Sequence, residues 1–131
     1  MAWEHPATLK VPGLVAGADL SAKQYHFVEV TGAGTVNVCD ATTDCPIGVL
    51  QNAPKSGEEC EIVCIGITKM VADAAVTVNA PLGTSADGQA AVYAFGTDTT
   101  KYLVGRALTA CSNAGEIVTV LVNCASPARG S

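Results

Sequence analysis

The stretch Cys45 to Met70, CPIGVLQNAPKSGEECEIVCIGITKM, returns later in altered form as Leu103 to Asn123, LVGRALTACSNAGEIVTVLVN. With Gly48 set over Gly105 and one residue inserted, Gly57-Glu58 falls over Gly115-Glu116. The alternating run Cys60, Ile62, Cys64 then falls over Val118, Val120, Val122. Side chains two apart on a strand share a face, so each copy reads as strand, loop, Gly-Glu turn and strand. What recurs is turn punctuation and hydrophobic alternation, with no nucleophile and base preserved between the copies. The repeat constrains architecture, and it places function on a surface.

Around this repeat the chain reads as short strands. Residues 1–20 contain two prolines, two glycines and the only tryptophan, which rule out a long helix and full participation in a sheet ladder. The expectation is an extended arm with apolar anchors at Trp3, Leu9, Val11 and Leu14, able to lie on another protein. Tyr25 to Thr31, YHFVEVT, is a strand apolar on both faces. Gly32-Ala33-Gly34 turns it into Thr35 to Cys39. Cys60 to Val71 is the longest β-rich run, and Gly66 inside it marks a bend joining two parts of the fold. Asp87-Gly88 is a turn signal. Residues 108–113 have room for one helical turn. The expected fold is all-β: a small single-domain β-barrel or sandwich at residues 21–124, with the arm before it and a loose tail at 125–131.

Composition narrows function. A net charge of −5 with seven scattered Lys and Arg leaves nothing to neutralise phosphates, so no nucleic-acid partner is expected. No apolar run has membrane-spanning length, and MAWEHPATLK lacks the pattern of a secretory signal, so synthesis in a cytosol is the simplest reading. Six cysteines raise two readings. Cys39 and Cys45 flank the loop DATTD and are the candidate disulfide. Alternatively the cysteines stand in for Val or Ala as small buried hydrophobes. Cys60 and Cys64, four apart on one strand face, lie about 13 Å apart at strand rise and cannot pair. No CxxC occurs, and His5 and His26 are remote from any cysteine pair, so no metal site is expected.

The search for chemistry returns little. His26 reads as a partly exposed strand residue, and no Ser-His or Cys-His pair is set up by spacing. Glu58, Glu59 and Glu116 are the most regular carboxylates, and each follows a turn glycine or opens a strand, where a solvated charge guards an edge. GAGT at Gly32 to Thr35 precedes a strand and is no phosphate loop. No catalytic residue, cofactor or enzymatic activity is expected.

The wording of the chain adds to this. AGADLSAKQYHFVEV at Ala16 to Val30, IGVLQNAPKSGE at Ile47 to Glu58, the glycine of VCIGITKMVA, the ADGQA turn and the closing VGRALTACSNAGEIVTVLV together resemble the small capsid cement or decoration proteins of tailed bacteriophages. The cysteine content departs from that family's usual wording. The resemblance implies a β-barrel on the outside of an icosahedral capsid, in the virion, often a homotrimer. Its partners would be the major capsid protein and itself, with no membrane involved. It would clamp neighbouring capsid subunits, with the arm making capsid contact. Two other roles compete: another phage structural domain, such as a head fibre base or tail component, and a carbohydrate-binding adhesion module.

Overall fold

The computed structural model describes residues 8–129. Its strands are β1 (Leu9–Lys10), β2 (Val15–Ala16), β3 (Phe27–Gly32), β4 (Thr35–Val38), β5 (Gly48–Leu50), β6 (Ile62–Val71), β7 (Pro81–Thr84), β8 (Ala90–Val92), β9 (Tyr102–Leu103), β10 (Gly105–Ala107), β11 (Ile117–Asn123) and β12 (Ala128–Arg129). There is no helix among the described residues; 108–113 hold bends and a bridge from Cys111 to Val76 instead. The main sheet has ten strands in the order β2-β4-β3-β5-β6-β11-β10-β7-β8, with β1 added on β6. It is an open, curled sheet with two hydrophobic clusters, so the fold is sandwich-like and the sheet does not close into a barrel.

That order is a palindrome, and the registers show why. Val49 faces Val63 and Leu50 faces Ile62 in β5–β6; Arg106 faces Leu121 and Ala107 faces Val120 in β10–β11. These are the partners that the sequence repeat matches. The duplication also extends beyond the stretch visible in sequence. Phe27 faces Val49 as Pro81 faces Arg106, and Val28 faces Val38 as Leu82 faces Val92. Even the start recurs: Leu9 faces Ile65 as Ile65 faces Asn123, and Ala16 runs parallel to Val36 as Ala72 does to Ala90. The two non-glycine residues with positive φ among the described residues, Tyr25 (66°) and Asn79 (71°), are twins, each donating its N–H to the strand it faces, at Leu50 and Ala107.

The chain is thus two tandem copies of one five-stranded unit, joined through β6. The first half of β6 is the last strand of the first unit, and its second half is the first strand of the second. Gly66, with φ 143°, sits at the changeover, where a Cβ would meet Thr8 at 2.6 Å. Ile, Val and Thr supply six of the other nine residues of β6, as a largely buried strand requires.

The cores follow the same duplication. The first cluster holds Ala16, Leu20, Val28, Val36, Leu50, Cys60 and Ile62. Their twins Ala72, Val76, Leu82, Ala90, Ala107, Val118 and Val120 all lie in the second. Each fully buried Val, Leu or Ile contributes about 1.5–3 kcal/mol. The second cluster also takes Phe27, Cys39, Val49 and Val63 from the first unit. Strand β3 is therefore apolar on both faces because Val28 points into its own unit and Phe27 into the next.

Residues 8–19 are held along the sheet. Besides the β1 pairing, Val11 donates to Ile62 O, and Cys60 donates to Leu14 O. The tail is tethered as well: β12 pairs with β9, and the Arg129 guanidinium lies 5.0 Å from the Tyr102 ring centre.

Candidate functional site: an apolar docking surface

Two units with one backbone give an internal control: side chains that fold the unit should match, and those that serve a partner should differ. The largest such difference on the surface is at three neighbouring positions. In the first unit they are Gln24, Gln51 and Glu59, and Gln24 Nε2 donates to Gln51 O at 2.9 Å. In the second unit they are Val78, Leu108 and Ile117, exposed at 63%, 41% and 49%. Leu108 donates its N–H to Thr119 O as Gln51 does to Glu61 O, and Ile117 lies two residues along the same strand face as Thr119. The Asn79–Ala107 backbone bond brings Val78 beside them. Val71, half-buried opposite Ile117, extends the patch, and Lys69 beside it is exposed. A single exposed Leu needs no explanation, but three apolar side chains where the twin is polar mark a surface shaped for contact.

The expected anchors are placed differently. Trp3 lies outside the described residues. Leu9 is exposed opposite Ile65. Val11 and Leu14 are half-buried against the second and first clusters respectively, so they stabilise the sheet at least as much as they offer contact. Lys10 pairs with Glu61 at 2.6 Å beside a surface cavity of about 400 Å³ lined by Val11, Asn52, Glu59 and Cys60. Burial pushes the Cys60 thiol up, and Glu59 adds to the effect, so this cavity holds no activated nucleophile.

All six thiols are free, Cys39 buried and Cys45 exposed. Four of them, Cys39, Cys60, Cys64 and Cys124, are buried, the small-hydrophobe alternative. Cys64 and Cys124 lie opposite each other one step beyond the Asn123–Ile65 pair, with Cys124 N–H donating to Cys64 O at 2.9 Å.

The regular carboxylates brace turns. Glu58 Oε1 accepts from Lys55 N–H at 2.6 Å, and Glu116 Oε1 accepts from Asn113 N–H at 2.7 Å. His26 is buried, a correction to its expected partial exposure, because its twin position, Ala80, is also a core position. Desolvation lowers its pKa, and its Nδ1 lies 3.1 Å from Gln24 O.

One cluster was not legible in sequence. Glu29, Cys39 and Asp44 bring their donor atoms within 4.8 Å of one another, because the β3–β4 hairpin and the loop after it fold back together. Burial, and then the neighbouring Asp44, push Glu29 up to about 7. Asp44 is partly desolvated, yet hydrogen bonds from Glu29 and from the N–H groups of Asp40 and Ala41 hold it below the ordinary carboxylate range. The pair therefore shares a proton. Burial raises the Cys39 thiol strongly, keeping it protonated.

The family model described as phage cement protein matches residues 13–124. No curated protein matches the chain. Among solved structures, the head fibre gp8.5 N base of bacteriophage phi29 is similar with a TM-score of 0.68 at 16% identity, over 90% of this chain and 96% of that one. At that identity the likeness is one of fold.

Proposed function

This chain belongs to the phage cement protein family, a phage structural protein associated with the capsid, and from that premise we propose that it binds the capsid exterior and ties neighbouring major capsid subunits together. The observation that carries this reading is the Val78–Leu108–Ile117 patch, apolar and exposed where the twin unit is polar. Leu9, exposed at the start of the described chain, is proposed as a second contact. The protein acts without making or breaking a bond, as a homotrimer on the virion after synthesis in the host cytoplasm. A modest contact energy per copy, multiplied over a lattice, raises the cost of opening the shell.

The test is co-sedimentation with expanded capsids of the cognate phage. Val78→Glu and Leu108→Glu should each weaken retention about 10-fold or more, since each loses roughly 1 kcal/mol of apolar contact and adds the cost of desolvating a charge. Both positions are exposed, so thermal melts should be unchanged. Undiminished binding by the double variant refutes the patch. A second reading, a base for a head fibre, draws on the phi29 fold likeness; projecting fibres on decorated capsids in electron micrographs would favour it.

A further inference from the structure

The contact between the two units is heterologous: one end of the first unit receives a hairpin turn of the second. The receiving end is Phe27, Val38, Cys39, Val49 and Val63, buried or half-buried. The inserted turn is Thr84 to Gly88. Gly88 O accepts from Phe27 N–H at 2.6 Å, and a Cβ on Gly88 would meet Val38 Cγ2 at 2.5 Å. Apolar parts of both halves exist a second time in the chain and stand exposed, whereas the hydrogen bond does not recur, since the twin of Phe27 is Pro81, which has no N–H, and Gly34 O, the twin of Gly88 O, accepts from Val15 N–H at 2.9 Å. The twin of the receiving end includes Val92 and Leu121, exposed at 46% and 45% where Val38 and Val63 are covered. Beside them Arg106 is exposed, and Phe95, set edge-on to Tyr93 with centroids 5.2 Å apart, is exposed too. The twin of the turn is Val30 to Gly34 in the first unit. Val30 is 50% exposed where Thr84 is buried, and nothing lies within 4 Å of a Cβ on Gly34.

We propose that the open end of the second unit is a docking face for the β3–β4 turn of another copy of this chain, repeating between molecules the apolar part of the contact that joins the units within one. The occupant is a second copy because the chain itself displays the complementary shape, seated on the equivalent surface. A heterologous contact of this kind closes into a ring or runs on as a filament. Partial coverage of the face by β9, the changes from Val49 to Arg106 and from Phe27 to Pro81, and the missing hydrogen bond make it weaker than the internal contact. This deepens the self-association in the reading above and rests on it only there.

The experiment is sedimentation velocity on the full chain up to about 500 µM, which reaches contacts with Kd in the micromolar range and above. The wild type should associate with increasing concentration. Val30→Glu, which spoils the turn, and Leu121→Glu, which spoils the face, should each be monomeric with unchanged melting. Mixed in equal amounts, each variant still carries the half that the other lacks, so the mixture should form one-to-one dimers and stop there. A monomeric wild type, association that survives both substitutions, or a mixture that stays monomeric overturns the proposal. Capsid co-sedimentation in parallel separates the two readings: a monomeric wild type that still decorates capsids removes this interface and leaves capsid binding standing.

Discussion

Gly34 and Gly88 are twins with nearly equal φ, 79° and 77°, and differ most in what lies beyond them. Alanine at either position must adopt the left-handed conformation, at about 1–2 kcal/mol. For Gly34 that is the whole cost, because a Cβ there meets nothing within 4 Å. For Gly88 the Cβ would lie 2.5 Å from Val38 Cγ2 and 2.9 Å from Phe27 O, so the turn must lift off the first unit. Lifting stretches the 2.6 Å bond from Phe27 N–H to Gly88 O. An orphaned buried N–H costs about 1–3 kcal/mol, and overpacking adds about 1–3 kcal/mol. The expected losses are about 1–2 kcal/mol for Gly34→Ala and about 3–8 kcal/mol for Gly88→Ala, read from urea unfolding. At about 3–5 °C per kcal/mol for a chain of this size, the melting temperatures should separate by at least roughly 6 °C. The urea slope carries a second signal, because a second unit released from the first can unfold separately and broaden the transition. Losses equal within about 0.5 kcal/mol would refute the seating of this turn, and with it the basis for the intermolecular contact.

Two further outcomes follow from the duplicated turns and the shared proton. Glu58→Ala should cost about 1 kcal/mol in urea unfolding and Glu116→Ala at least as much, because each removes a charge-assisted, solvent-exposed bond to the backbone three residues earlier, and Glu116 Oε1 also accepts from Ser112 N–H at 3.2 Å where the first turn has Pro54 and no N–H; a smaller loss for Glu116→Ala would show that these bonds do not brace the turns. Glu29, raised to about 7 from 4.5, binds its proton more tightly folded than unfolded, so its contribution is full below pH 4.5 and is lost as pH rises through 7. Thermal melts should therefore show the chain more stable at pH 6 than at pH 8, and Glu29→Gln should flatten that difference. The buried His26, lowered from 6.5, acts in the opposite sense as pH falls below that value, so an unchanged slope in Glu29→Gln would remove the shared proton as its cause.

The part of the fold written in local sequence was readable, and the part written in long-range pairing was not. The β11 alternation follows directly from IVTVLVN, whose odd and even positions are exposed and buried in turn. Gly66 announced the joint of the long strand, since a glycine in a β-branched run has few other uses. The first half of each unit escaped notice because its twins share a backbone but little chemistry: His26 matches Ala80, Phe27 matches Pro81, and Cys39 matches Tyr93. Leu9 to Ala16 read as an arm because Pro12 and Gly13 interrupt it, yet its hydrogen bonds go to β6, to the β3–β4 hairpin and to the loop before β6, all remote in sequence. The docking patch was partly visible. Leu108 over Gln51 and Ile117 over Glu59 fall inside the repeated stretch, but attention to what the copies share hid the positions at which they part. The Glu29–Asp44 pair had no signal at all, since only the folding of a hairpin and loop brings those carboxyls together.

The sizes of these surfaces decide how the protein must act. Val78, Leu108 and Ile117 are already about half covered, so burying the remainder of each yields roughly 1 kcal/mol, about 3 kcal/mol in all. Association costs an estimated 4–15 kcal/mol in lost freedom before any contact counts. One patch on one molecule cannot hold a capsid, and the exposed Leu9 adds only a similar increment. Joining copies changes the balance, because once one member of a ring is seated the next patch binds at an effective concentration near the millimolar range, raising avidity about 10²–10⁴-fold with no new capsid contact. In the proposed assembly the weak lateral patch and the head-to-tail ends therefore have separate jobs on a duplicated scaffold, the first to recognise the shell and the second to make that recognition last.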